Sequence, residues 1–251
     1  GLVRFGLGLF PDAWTIVAPW LAWWAVVSTI YGSAIAIAQT DMKKMVAYSS
    51  IGHMGFILLA CAAATPLSIL GTVFQMVSHG LISALLFLSV GIVYKKTGTR
   101  DLTILSGLLN PERGLPIIGT LMIVGVMASA GMPGMVGFIS EFIVFRGSFP
   151  IFPTQTLLAM IGTGLTAVYF LLLVNRAFFG RLTTQAGNTP DPDTKVLPMI
   201  LWGERLPGIL LALAIVVFGL QPNWVLRWSE TKISTLSQPT TVVANISDRV
   251  K

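Results

Sequence analysis

The sequence predicts an all-α integral membrane protein, a polytopic helix bundle with one helix broken near residues 129–138. Three observations carry this. The chain is 54% hydrophobic but only 10% charged, whereas a soluble domain carries about 25% charged residues. Its mean hydropathy is +0.80, so lipid rather than water is the solvent its surface suits. Its apolar runs recur at the length of a bilayer crossing, about 20 residues, and backbone in lipid is satisfied only by helices or closed barrels.

Six spans follow in order: residues 16–38, 45–64, 69–94, 115–145, 157–179 and 206–220. The first ends at "QTDMKK", where Asp41 is placed to cap the second. The second stops at "TPLS", the third at "KKTGTRD", and the fourth begins after "NPERG". The polar stretch "GRLTTQAGNTPDPDTK" separates the fifth from the sixth. Residues 1–15 read as the end of a preceding broken helix, 16–224 as the bundle, and 225–251 as a polar tail. The chain opens without a methionine or signal peptide, which reads as a fragment. Gly, Ala and Ser inside the spans suit close helix packing, and "WLAWW" and "WVLRW" suit interfacial belts.

The net charge of +6 reflects topology rather than nucleic-acid binding, since the cations fall between apolar runs instead of forming a stripe with aromatics. Lys43, Lys44, Lys95, Lys96, Arg100, Arg113, Arg176 and Arg181 collect on one side, and Arg4, Arg146 and Arg227 on the other. The richer side is assigned cytoplasmic (stromal in a plastid). The single cysteine, Cys61, excludes a disulfide framework and a cysteine-based metal site. There is no iron–sulfur cysteine pattern, dinucleotide fingerprint or phosphate loop, so the chain carries no redox centre and no catalytic residue of its own.

An ionisable side chain within a span costs about 2.5–3.5 kcal/mol at mid-depth, so each asks for a reason. Three qualify: His53, His79 and Glu141. His53 is either a packed, hydrogen-bonded histidine or a proton relay, for which a neutral-range imidazole is suited. His79 shares a helix face with Gln75 and Ser83 at i, i+4 spacing, a polar stripe that suits water or relay work. Two histidines without a third ligand do not make a metal site. Before Glu141 stand Gly131, Pro133, Gly134 and Gly137, which interrupt the backbone ladder. Such breaks occur at membrane depth where they are buried in protein or line a wet cavity. Glu141 then either exchanges protons with that water or pairs with Arg146.

The motifs "QTDMKKMVAYSSIGHMGF", "QMVSHGLISALLF" and "GMPGMVGFISEF" resemble, in that order, the second half of the antiporter-like membrane subunits of complex I. The nearest type is that called NuoM in bacteria and NdhD, or chain 4, in the photosynthetic NADH dehydrogenase-like complex. The resemblance spans about residues 1–230 and implies the second of two inverted repeats. It implies a subunit of an NAD(P)H- or ferredoxin:quinone oxidoreductase that moves protons through Glu141, His79 and His53, with Gln75 and Ser83 ordering water. Quinone, iron–sulfur clusters and the electron-donor site would lie on other subunits, and the partners would be membrane subunits and the bilayer. The family's preceding lysine and its first repeat are absent from these residues, and Gln75 and Ser83 stand where the related NuoL type has His and Lys. The segments "FRGSFPIFP" and "GLQPNWVLRWSE" look cyanobacterial, which implies a thylakoid location, otherwise a bacterial plasma membrane, and a carbon dioxide uptake variant. The rival readings are an Mrp-like cation/proton antiporter subunit and a structural membrane scaffold.

Overall fold

The computed structural model describes residues 1–111, 114–182, 200–224 and 226–227. After a π-helical turn at Leu2–Leu7, the described residues include the α-helices α1 (Pro11–Ala38), α2 (Met42–Ala63), α3 (Pro66–Thr97), α4 (Pro116–Ser129), α5 (Val136–Ser148), α6 (Pro153–Phe178) and α7 (Trp202–Leu220). Among the described residues five are long and apolar enough to cross a membrane: α1, α2, α3, α6 and α7. α4 and α5 are the two halves of the interrupted helix. No strand occurs among the described residues; the one isolated β-bridge pairs Asp41 with Asp101. The 225–251 tail, the "TPDPDT" segment and Arg113 fall outside the described residues, apart from Leu226 and Arg227.

Local chemistry sets the helix ends. Proline stands in the first turn of α1, α3, α4 and α6, where its missing N–H removes no helical bond. α1 consequently starts at Pro11, so residues 11–15 belong to the first span and not to a preceding element. Asp41 caps α2 by accepting the Lys44 N–H at 3.0 Å, and Thr65 caps α3 through the Ser68 N–H at 3.0 Å. α3 stops at Gly98, whose φ of 77° is left-handed.

α1 and α2 run antiparallel and close together. Ser28 donates to the Ile51 carbonyl at 3.0 Å and Thr29 to the Gly52 carbonyl at 3.3 Å. Hydroxyls bonding across helices serve where apolar packing alone drives little association in lipid. One end of the bundle gathers the loops. Leu102 donates to Thr40 at 2.8 Å, Met42 to Arg100 at 3.0 Å, and Gly107 to Phe179 at 2.9 Å. Here Lys95 and Lys96 reach Glu204 at 2.6 and 3.0 Å, and Arg100 reaches Asp41 at 3.3 Å. Lys43, Lys44, Arg176 and Arg181 lie in these same segments, so this is the basic end. At the opposite end Thr65 donates to the Gly147 carbonyl at 2.8 Å, beside Arg146. The aromatic Trp20, Trp23 and Trp24 are exposed on α1.

Candidate functional site

The site begins with the break between α4 and α5. The carbonyl of Ser129 would take its helical bond from residue 133, and Pro133 has no N–H to give. Gly131 and Gly134 then turn the chain with φ of 73° and 89°, a region that side chains with a Cβ avoid. Gly137 restarts the helix against the end of α4; a Cβ there would lie 1.9 Å from the Ala128 carbonyl oxygen. The four residues singled out in the sequence therefore perform three separate tasks: removing a donor, turning the chain, and permitting a close approach.

One turn into α5, Glu141 faces inward and is 4% exposed. Its Oε2 accepts the Thr163 hydroxyl of α6 at 3.0 Å. Its Oε1 lies 3.8 Å from His53 Nε2 of α2 and has no hydrogen-bond partner among the described residues. No Lys or Arg pairs with it among those residues, Arg146 included. Leaving one carboxyl oxygen of a buried acid without a donor is costly. The same oxygen is therefore open to a water or to a shift of the imidazole.

His53 is buried, at 2% exposure. Its Nδ1 lies 2.9 Å from the Ser49 carbonyl, and its Nε2 lies 3.3 Å from the Ser129 hydroxyl and 3.4 Å from the Ser129 carbonyl. The His79 ring of α3 stacks on it, with centroids 5.1 Å apart and planes at 24°. The two histidines and the glutamate, isolated in the sequence, thus form one cluster built from α2, α3 and α5.

On α3, Ser68, Thr72, Gln75 and Ser78 are all buried, at most 1% exposed. Gln75 Oε1 and Ser78 Oγ have no hydrogen-bond partner among the described residues. Both are places where an ordered water would be held, since buried polar atoms are paired with protein or water. Ser83 differs: its hydroxyl donates to the His79 backbone carbonyl of its own helix and so is occupied by back-bonding. Sequence reasoning missed Ser129 and Thr163. Neither has a one-dimensional signal, because a hydroxyl within an apolar span satisfies itself against its own backbone at no visible cost. Among the described residues no group of three or more His, Cys, Asp or Glu gathers as metal ligands would.

The family described as "NADH:quinone oxidoreductase/Mrp antiporter, TM" matches residues 1–166. The NADH-quinone oxidoreductase subunit M of Escherichia coli K12 is 36% identical over 238 residues, covering 95% of this chain and 45% of that protein. The NAD(P)H-quinone oxidoreductase chain 4 1 of Synechococcus elongatus is 43% identical over 192 residues, covering 74% and 36%. The chain spans less than half the length of these curated relatives. Among solved structures, respiratory complex I of Thermus thermophilus matches with a TM-score of 0.84 at 24% identity, over 96% of this chain and 48% of that one. The Mrp complex of a Dietzia species matches at 0.76 and 22% identity, over 90% and 49%. These two likenesses show a shared fold. The family match, which covers about two thirds of the chain, makes this multi-pass membrane chain a member of the NADH:quinone oxidoreductase/Mrp antiporter transmembrane family.

Proposed function

We propose that this chain is part of a proton-translocating membrane subunit of an NAD(P)H- or ferredoxin-dependent quinone oxidoreductase. The observation that carries this is Glu141, buried beside a helix break, 3.8 Å from a histidine that stacks on a second histidine. A carboxyl with only uncharged donors around it can gain and lose a proton without breaking a fixed ion pair. His53 receives that proton and His79 extends the relay, while Gln75 holds water beside them; Ser83 holds the His79 turn. Electron donor, iron–sulfur clusters and quinone belong to partner subunits, and quinone reduction there supplies the driving energy.

Glu141→Gln keeps size and hydrogen bonding but removes the exchangeable proton. In inverted membrane vesicles, NAD(P)H-driven acidification by the assembled complex is expected to fall at least about a hundredfold. Unaltered proton stoichiometry in that variant rejects the role.

The structural likeness to the Mrp complex favours a second reading, a subunit of a cation/proton antiporter. Purification in mild detergent separates the two. Quinone-reducing partners accompany the chain in the first case, and antiporter subunits alone in the second. If His53, His79 and Glu141 can all be replaced silently, the chain is a scaffold.

A further inference from the structure

Ser129 presents two groups of opposite kind to one nitrogen. Its hydroxyl, a donor, is 3.3 Å from His53 Nε2, and its carbonyl, an acceptor, is 3.4 Å from the same atom. That carbonyl is available because Pro133 has no N–H. The neighbouring N–H groups go elsewhere, Gly131 to Ala128, Met132 to Met127 and Met135 to Met132. It also ends α4, where the helix dipole turns its negative pole toward the ring.

The other ring nitrogen fixes the tautomer. Nδ1 faces the Ser49 carbonyl at 2.9 Å, an acceptor only, so Nδ1 carries the hydrogen in the neutral ring. Nε2 then holds a lone pair and accepts from the Ser129 hydroxyl. When a proton passes from Glu141, its O–H bond breaks and an N–H bond forms at Nε2, giving carboxylate and imidazolium. The new N–H needs an acceptor, and the Ser129 carbonyl is at hand. The reverse move regenerates both neutral groups. At 3.8 Å the transfer needs a closure of about 1 Å or one bridging water.

We infer that Ser129 is a positioning residue that keeps His53 Nε2 hydrogen-bonded in both protonation states, its hydroxyl serving the neutral ring and its proline-freed carbonyl the imidazolium. The inference rests on the proton-carrier reading of Glu141 and His53. It also gives Pro133 a second task beyond interrupting the helix. Among the described residues the titratable groups against His53 are Glu141 from α5 and His79 from α3, with Tyr169 of α6 close to Ser49 and Glu141. α4 carries none, so Ser129 acts through its hydroxyl and the carbonyl at the helix end, not through a titrating neighbour on its own helix.

The test is the pH profile of proton translocation by the assembled complex in inverted vesicles. Ser129→Ala removes the donor to the neutral ring, so the ring keeps its proton to higher pH. The profile is expected to move upward by about half to one pH unit. Pro133→Ala restores an N–H that competes for the Ser129 carbonyl, so the profile is expected to move downward. Opposite displacements support the inference. A rate loss without displacement, or displacement of both variants in the same direction, overturns it. If Pro133→Ala does not assemble, the sign for Ser129→Ala alone decides. A Glu141→Gln complex that still pumps removes the functional premise; a silent Ser129→Ala in a complex that Glu141→Gln disables removes only this inference.

Discussion

Glu204 and Glu141 both sit on apolar helices, yet their surroundings differ in kind. At the start of α7, Glu204 takes Lys95 and Lys96 at 2.6 and 3.0 Å and the Leu201 N–H at 3.1 Å. Every oxygen is engaged, and two positive charges answer one negative. Glu141 has a hydroxyl at 3.0 Å, an imidazole at 3.8 Å and an oxygen with no donor among the described residues. The first arrangement joins α3 to α7 at the basic end, with Lys95 largely exposed and Lys96 and the carboxylate more enclosed, so the outer pair is screened by water and adds little stability. The second places an acid where ionisation is expensive and leaves it incompletely answered. The difference teaches that a carboxylate saturated with cations is fixed in one state, whereas one given only uncharged donors can change state.

The same substitution in both places tests this most directly. Glu141→Gln is expected to stop translocation in a complex that still assembles, as vesicle acidification reports. Thr163→Val comes next, because it removes the hydroxyl that binds Glu141 at 3.0 Å while keeping the shape. A hydrogen bond to an ionisable partner is worth about 1.5–3 kcal/mol, so translocation should fall roughly tenfold or more, measured in the same vesicles. An unchanged rate would mean that the carboxyl does not depend on α6. Glu204→Gln is expected to leave the translocation rate as it was and to lower only the thermal midpoint of the purified complex. A translocation defect there would break the comparison.

The smallest effect belongs to the loop at the basic end. The Thr103 N–H and hydroxyl bind Asp101 at 2.9 and 2.8 Å and hold its carboxyl below the usual carboxylate range. A depressed value stabilises the folded state above the ordinary carboxylate pKa, near 4, and this is lost as the pH falls through the folded value. Thr103→Val should therefore lower the thermal midpoint slightly at neutral pH, with the gap to the parent closing in strong acid. A gap that widened on acidification would reverse the sign.

Much of this was legible in the chain. The spans, the break and the three ionisable residues all follow from solvation cost, which each segment bears by itself. Asp41 as a cap is equally local, since donor and acceptor are three residues apart. Helix starts were misread by a few residues because proline, polar to the eye in an apolar run, belongs inside the first turn. The roles of Ser129 and Thr163 were not legible. Each is one hydroxyl among many, and its importance lies only in the residue opposite.

The sequence by itself determined that this protein lives in lipid, that it is helical, and that one helix is broken near an acid. Those outcomes depend on whether a segment can satisfy its own backbone and shed water, which needs no partner. Only the tertiary structure decided that His53 stacks on His79, that Glu141 answers to Thr163 rather than Arg146, and that the Ser129 carbonyl freed by Pro133 faces an imidazole. Helices that are apolar on every side give no sign of which face turns inward. That choice is made by the packing of neighbouring helices, one against another.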